Sequence, residues 1–161
     1  MIMKISFLMP VFNTSKNILE EAICSVINQT NNSWELIVCD DNSKKNETLE
    51  VLNIFKNHPQ ITVLYSGKSL GISGATNLAA SKAQGDYLTF IDHDDTLVEY
   101  AVEKIIDEIL NNDKPDILYS DEDKIDLNGN YVEPYFKPDF SPEYLHSFMY
   151  MLHIFILKKS L

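Results

Sequence analysis

Residues 85–95, GDYLTFIDHDD, decide the fold, because a short apolar run there ends directly in acidic residues. Residues 87–91 are almost continuously apolar or β-branched, which is typical of a strand in the middle of a parallel sheet. Asp92, Asp94 and Asp95 follow at once. Ligands of open parallel sheets bind outside the carboxyl ends of the strands. The stretch therefore predicts a buried strand with a polar site at its end.

Outward from this stretch, short β-rich runs alternate with helical patterns. The predicted strands are residues 4–9, 34–39, 61–65, 87–91 and 116–119. The predicted helices are residues 18–27, 48–55, 75–83 and 98–110, the third following a glycine-rich loop over residues 67–74 and ending before Gly85. Repeated strand–helix–strand units imply right-handed crossovers. We therefore predict an α/β fold with a mostly parallel sheet and helices on both faces.

The composition indicates one globular, acidic domain. The chain has 161 residues, and its 13 Lys and Arg against 24 Asp and Glu give a net charge of −11. No basic stripe of the kind that follows a phosphate backbone is present, so we expect no nucleic-acid partner. An acidic protein that binds a phosphate ligand must reverse the local charge, most simply with a divalent cation.

The cysteines and the longest apolar runs indicate a cytoplasmic protein. Cys24 and Cys39 lie in predicted apolar elements and are expected to be buried free thiols, as in a reducing compartment. The apolar run at residues 148–157 is far shorter than the ~20 residues that a membrane span needs. We therefore expect no transmembrane segment.

Three acidic clusters each follow a predicted strand. They are Asp40-Asp41, Asp92/Asp94/Asp95 and Asp121-Glu122-Asp123. Because the carboxyl ends of parallel strands meet at one edge, the clusters are expected to converge, and so many negative charges imply a hard cation, Mg²⁺ or Mn²⁺. For the first and last clusters, local capping of loops explains the acids equally well.

Beyond residue 120 the pattern changes. Asn128-Gly129-Asn130 predicts a hairpin turn, and Pro134, Pro138 and Pro142 predict an extended, stiff segment. His153 stands in an apolar run and is predicted to be a core histidine in a strand rather than a ligand. His93 is predicted to point away from an ion held by Asp92 and Asp94, because neighbouring side chains alternate.

A phosphatase is one alternative. Residues 90–96, FIDHDDT, match the D-x-D-x-T pattern of haloacid-dehalogenase-type phosphatases, with Asp92 as nucleophile and Asp94 as acid and base. That pattern stands near the chain start in those enzymes, whereas here it lies past the middle of the chain. No convincing later G-D-x-x-x-D is present to complete such a metal site.

Six motifs in order along the chain carry a resemblance. They are MPVFN (9–13), VCDDNS (38–43), GISGATNLAA (71–80), the GDY…DHDD stretch (85–95), YSDEDKID (119–126) and YFKPDFSPEYL (135–145). As an ordered set they resemble family 2 glycosyltransferases, the inverting type with a GT-A fold that uses nucleotide sugars. The acidic motifs and the last one resemble the bacterial branch that builds rhamnose- or galactose-containing surface polysaccharides.

The resemblance implies a role for each matched residue. Asp94, as direct ligand, and Asp92 would form the metal-binding D-x-D, with Mn²⁺ or Mg²⁺ as cofactor. The implied nucleotide and donor residues are Pro10, Phe12, Asn13, Asp40, Asp41, Gly71, Asn77 and Asp92, and those facing donor or acceptor are Asp95, Asp121, Glu122 and Asp123. Phe12 stands where tyrosine is frequent, and Thr76 where many members have arginine.

The activity implied is metal-dependent transfer of a sugar, with inversion, from a UDP- or dTDP-sugar to a saccharide or lipid-linked acceptor. Residues 1–161 would be one GT-A domain, with a nucleotide-binding core over 1–120 and the start of an acceptor side over 121–161. The catalytic base is expected beyond residue 161, so the chain is expected to be part of a longer enzyme, cytoplasmic or at the inner face of the membrane. The alternative from another class is a module that binds nucleotide without turnover.

Overall fold

The structure, a computed structural model, describes residues 3–126 and 128–161. The strands are β1 (Ile5–Val11), β2 (Trp34–Asp40), β3 (Ile61–Tyr65), β4 (Tyr87–Phe90), β5 (Ile117–Tyr119), β6 (Glu122–Ile125), β7 (Tyr131–Tyr135) and β8 (Phe155–Lys158). The helices are α1 (Lys16–Ile27), α2 (Asn46–Phe55), α3 (Gly71–Ala80), α4 (Ala101–Asn111) and α5 (Pro142–Ser147). Met1, Ile2 and Leu127 lie outside the described residues.

Six strands form one sheet in the order β3, β2, β1, β4, β8, β5. The first four are parallel to one another, and β8 runs antiparallel to both β4 and β5. The predicted α/β fold with a mostly parallel sheet is confirmed. The predicted hairpin turn joins β6 and β7, which form a separate two-stranded sheet. Pro134 lies within β7 and Pro142 begins α5, so the proline segment is not extended throughout.

Helices cover both faces of the sheet, as predicted, and the side chains of β1 point alternately to these two faces. Ile5, Phe7 and Met9 pack with buried residues of α1, α2 and α4. Leu8 points the other way and packs with Ala75 and the other small residues of α3. The alanines allow α3 to lie close to the sheet.

The start of α3 differs from the prediction. Residues 71–74 were predicted as loop, but α3 begins at Gly71. The carboxylate of Asp41 accepts the N–H groups of Leu70 and Gly71, which satisfies donors at the helix start. Gly71 has a φ of 71°, which glycine adopts without steric cost. Because the capping carboxylate belongs to Asp41, which follows β2, the sequence around residues 70–74 does not show where α3 begins.

The prediction that Gly85 ends α3 is wrong, since the helix already ends at Ala80. Gly85 is required by a close approach to the sheet. Its N–H donates to Ser6 Oγ at 2.9 Å and to Glu35 Oε1 at 3.0 Å. A Cβ atom at this position would lie 2.5 Å from Ser6 Oγ and 2.6 Å from the Lys4 carbonyl oxygen.

We expect Gly85→Ala to lower the free energy of unfolding by about 1–3 kcal/mol, because backbone must move to admit the methyl group. Urea denaturation followed by circular dichroism measures the change. Gln84→Ala is the matched control, because Gln84 is exposed and the substitution keeps its Cβ. Equal stabilities of the two variants would contradict the close approach.

Both cysteines are free, as predicted, and Cys39 is fully buried while Cys24 is partly buried. Burial, followed by the charges of Asp41 and Asp40, raises the pKa of the Cys39 thiol to about 11. Within residues 3–126 and 128–161, no helix has the length and apolar character that crossing a bilayer requires.

Candidate metal and nucleotide site

The candidate site lies where the strand order of the sheet reverses. Strands β2 and β3 extend from one side of β1, and β4 pairs with its other side. The carboxyl ends of β1 and β4, Val11 and Phe90, therefore flank a topological switch point. Open α/β sheets bind their ligands in the crevice at such a point.

Three side chains that could bind a metal ion meet at the carboxyl end of β4. One ligand atom each from Asp92, Asp95 and His153 lies within 4.8 Å of the other two. His153 Nε2 is 3.5 Å from Asp92 Oδ2 and 3.9 Å from Asp95 Oδ2. The Asp95 N–H donates to the Asp92 carbonyl oxygen at 3.2 Å, in a tight turn that fixes the spacing of these two residues.

His153 reaches this edge because β8 is antiparallel. Phe155, the first residue of β8, pairs with Phe90, the last residue of β4, and their rings stack at 6.0 Å. The two residues before β8 therefore lie beside the residues that follow β4. The prediction that His153 is a core histidine is wrong, since its side chain is 47 % exposed and lies in this cluster. The apolar residues around His153 give it the sequence pattern of a core residue. The periodicity of a strand does not show whether the strand runs parallel or antiparallel to its neighbours.

Glu122 and Lys137 complete the surroundings of His153. Glu122 Oε2 lies 3.3 Å from His153 Nδ1, on the ring edge opposite the two aspartates. Lys137 Nζ donates to Glu122 Oε2 at 3.0 Å. Of the neighbouring predicted residues, Asp121 accepts the Lys137 N–H at 2.8 Å, and Asp123 is exposed on β6. Of the third acidic cluster, Glu122 is the residue that contacts His153.

The cluster carries unbalanced negative charge. Partial burial raises the pKa of Asp95; His153 opposes the shift, and the charges of Asp92, Asp94 and Glu122 add to it. Two carboxylates and an imidazole are suitable ligands for a divalent cation. The separations of 3.5 and 3.9 Å are shorter than the roughly 4.2 Å that two ligands of one ion can span at about 2.1 Å each. The residues present therefore fit a metal ion.

Without metal, we expect Asp95→Asn to raise the melting temperature, because it removes one of several repelling charges. Differential scanning fluorimetry in EDTA measures this, and added Mn²⁺ should stabilise the variant less than the wild type. Asp107→Asn is the control, because it also removes one negative charge but lies on the exposed face of α4. A lower melting temperature for Asp95→Asn than for the control would contradict the account.

Asp94 lies apart from the three clustered ligands. Its side chain is 60 % exposed, and its Oδ1 is 3.7 Å from His93 Nδ1. That nitrogen is buried and has no hydrogen-bond partner among the described residues. The structure thus groups Asp92 with Asp95, whereas the sequence pairs Asp92 with Asp94. The ligand role of Asp94 stays a prediction.

Asp41 is buried, and both oxygens of its carboxylate accept hydrogen bonds from neighbouring residues of the chain. Its carboxylate accepts the N–H groups of Leu70 and Gly71 and the hydroxyl group of Ser69. Ser66 Oγ lies 3.4 Å from Asp41 Oδ1 and donates its closer hydrogen bond to the Lys68 carbonyl oxygen. Burial alone would raise the pKa of Asp41, but these hydrogen bonds lower it. Asp40 is also buried and accepts the Ser43 N–H at 3.2 Å. A nucleotide at Asp41 would share acceptor atoms with this loop, and its predicted contact stays a prediction.

Three of the other predicted nucleotide residues lie at or just after the carboxyl end of β1, and one lies on α3. Pro10 lies in β1, and Phe12, just after it, is 50 % exposed. Asn13 Oδ1 accepts the N–H groups of Lys44 and Lys45, so it ties the loop after β1 to the loop after β2. Asn77 is exposed on α3. Their proposed contacts with a nucleotide stay predictions.

Together, the fold and site define an α/β protein with a cluster of possible metal ligands at the end of β4, beside the switch point of its sheet. The chain belongs to glycosyl transferase family 2, whose family model matches residues 6–160. The FIDHDDT pattern therefore belongs to a glycosyltransferase family rather than to a phosphatase.

Curated relatives match nearly the whole chain. The O-antigen biosynthesis protein RfbC of Myxococcus xanthus is 31% identical over 96% of this chain, which spans 12% of that protein. Chondroitin synthase of Escherichia coli is 34% identical over 92% of this chain, which spans 22% of that protein. The chain thus spans less than a quarter of either relative.

The solved structure of S. aureus TarS residues 1–349 has the same fold. It aligns with a TM-score of 0.74 and 22% identity over 98% of this chain and 48% of that one. The complex of TarS 1–349 with UDP aligns with a TM-score of 0.67 and 26% identity over 81% of this chain and 38% of that one. TarS 1–349 has also been solved with UDP-GlcNAc. These structures support the GT-A assignment.

Proposed function

We propose that this chain is the nucleotide-sugar-binding part of an inverting glycosyltransferase that makes a surface polysaccharide or glycolipid. The observation that carries the proposal is the meeting of Asp92, Asp95 and His153 at the carboxyl end of β4, which borders the switch point of the sheet. The family match over residues 6–160 adds the reaction class. The names of RfbC and chondroitin synthase support a polysaccharide product.

Asp92, Asp95 and His153 would hold a divalent cation. The imidazole favours Mn²⁺ over Mg²⁺, which prefers an all-oxygen octahedron. Such an ion would neutralise charge that develops on the diphosphate when the sugar–phosphate bond breaks. This chain would need such a cation strongly, because its net charge of −11 would otherwise repel an anionic donor.

The nucleotide would lie over the carboxyl end of β1. The half-exposed ring of Phe12 offers a stacking surface for a base. Asn13 holds the adjoining loops together, and the start of α3 at Gly71 borders the same edge. UDP and UDP-GlcNAc in the TarS complexes support a uridine donor, with dTDP as the related choice. Residues 121–161 would begin the acceptor side, for a saccharide or lipid-linked acceptor.

Isothermal titration calorimetry of UDP, dTDP and GDP, each with and without Mn²⁺, tests the proposal. We expect UDP or dTDP to bind only when Mn²⁺ is present. Release of UDP from UDP-sugars, measured in parallel, separates the two classes of function. Binding without release would indicate a nucleotide-binding module, and failure of every nucleotide to bind with Mn²⁺ would contradict the proposal.

A further inference from the structure

The ammonium group of Lys137 has three hydrogen-bond acceptors, none of which belongs to Asp92 or Asp95. Its side chain is only 1 % exposed. Its ammonium group donates to Glu122 Oε2, to the Leu152 carbonyl oxygen and to the His153 carbonyl oxygen at 3.1 Å. A lysine ammonium has three N–H donors, so each has an acceptor. Lys137 therefore joins β6 to the segment that carries His153.

These contacts determine how the imidazole is presented. Lys137 fixes the His153 backbone through two carbonyl oxygens and the Glu122 carboxylate through one oxygen. That same Glu122 oxygen lies 3.3 Å from His153 Nδ1, while Nε2 faces Asp92 and Asp95. Metal-binding histidines commonly give their second ring N–H to a carboxylate, which fixes the tautomer and the ring orientation.

We propose that Lys137 is a positioning residue, which holds Glu122 and the His153 backbone so that the imidazole Nε2 faces the aspartates. This inference rests on the proposed metal site. Lys137 lies outside the acidic motifs and is the lysine of the YFKPDFSPEYL motif. Lys137 does not contact the ion; it acts through Glu122 and His153.

Mn²⁺ binding followed by electron paramagnetic resonance tests the inference. We expect Lys137→Met to weaken Mn²⁺ binding about 10- to 100-fold, the usual effect of removing such a supporting contact. Lys124→Met is the matched control and should bind Mn²⁺ like the wild type. Lys124 lies in β6, on the hairpin that ends two residues before Lys137. It also pairs with a glutamate, Glu133, but its side chain is 73 % exposed.

A double variant, Lys137→Met with Glu122→Gln, separates positioning from charge balance. The double variant removes the buried ammonium group of Lys137 together with the carboxylate of Glu122. Thermal stability should therefore recover towards the wild type, while Mn²⁺ binding stays weak. Recovery of both properties would overturn the inference, because Lys137 would then only neutralise Glu122. Failure of both variants to fold would also overturn it, since Lys137 would be needed for the fold itself.

The ring nitrogens of His153 provide a readout without metal. In the metal-free protein, ¹⁵N chemical shifts of the imidazole report which nitrogen carries the proton. We expect these shifts to differ between wild type and Lys137→Met, and unchanged shifts would overturn the inference. If the wild type fails to bind Mn²⁺, the proposed metal site is wrong, and the ¹⁵N comparison still decides whether Lys137 orients His153.

Discussion

Asp92→Asn will weaken Mn²⁺ binding by at least about 100-fold, and metal-dependent binding of UDP will be lost with it. The substitution replaces a charged ligand by a neutral amide in a cluster whose other members are Asp95 and His153. Hard divalent cations bind carboxylate oxygen far better than amide oxygen when few ligands are available. Calorimetry with Mn²⁺ alone, then with UDP at saturating Mn²⁺, measures both effects.

Asp94→Asn is the informative comparison, because it makes the same chemical change two residues away. The structure places the Asp94 carboxylate near His93 rather than in the three-residue cluster. We therefore expect the Asp94 variant to retain most of its Mn²⁺ affinity. A larger loss in Asp94→Asn than in Asp92→Asn would support the ligand assignment that the family motif implies, and would contradict a site built on Asp92, Asp95 and His153.

Asp41→Asn will lower the free energy of unfolding at pH 7 by about 2–4 kcal/mol. The buried carboxylate accepts three short hydrogen bonds, one from Ser69 and two from the backbone at the start of α3. An amide has one acceptor oxygen, so its NH₂ group would face donors and leave them unsatisfied. Loss of the negative charge at a helix N-terminus adds to the effect.

The pH dependence of this effect has a definite sign. Hydrogen bonds lower the pKa of Asp41 in the folded protein despite burial. The stabilisation is therefore complete above the unfolded pKa of about 3.9 and is lost as the pH falls through the lower folded value. Urea denaturation from pH 7 to pH 2 should show wild type and Asp41→Asn converging in acid. A constant difference, or one as small as that of Asp107→Asn, would contradict the role of Asp41.

Much of the fold could be predicted because its signals are local. The apolar run before Asp92 predicted strand β4, although Tyr87 and Thr89 are buried while Leu88 is half-buried and Phe90 exposed. Alternation of strands and helices predicted the mostly parallel sheet. Helix α1 was predicted from residues at helical spacing, whose buried members include Leu19 and Ile23. These patterns depend on burial and periodicity within about ten residues, which a single sequence displays directly.

The parts that could not be predicted depend on contacts between distant residues. The start of α3 is set by Asp41, and the need for glycine at position 85 is set by Ser6 and the Lys4 carbonyl oxygen. His153 joins the acids after β4 only because β8 enters the sheet antiparallel to it. Acidic residues after a strand were visible in the sequence; the imidazole that completes their cluster was not.

The central claim is that Asp92, Asp95 and His153 together hold one cation. Anomalous diffraction at the manganese edge, from crystals grown with Mn²⁺ and UDP, tests it most directly. The account predicts one strong peak about 2.0–2.6 Å from a carboxylate oxygen of each aspartate and from His153 Nε2. No peak at this edge of the sheet, or a peak bound by other residues, would contradict it.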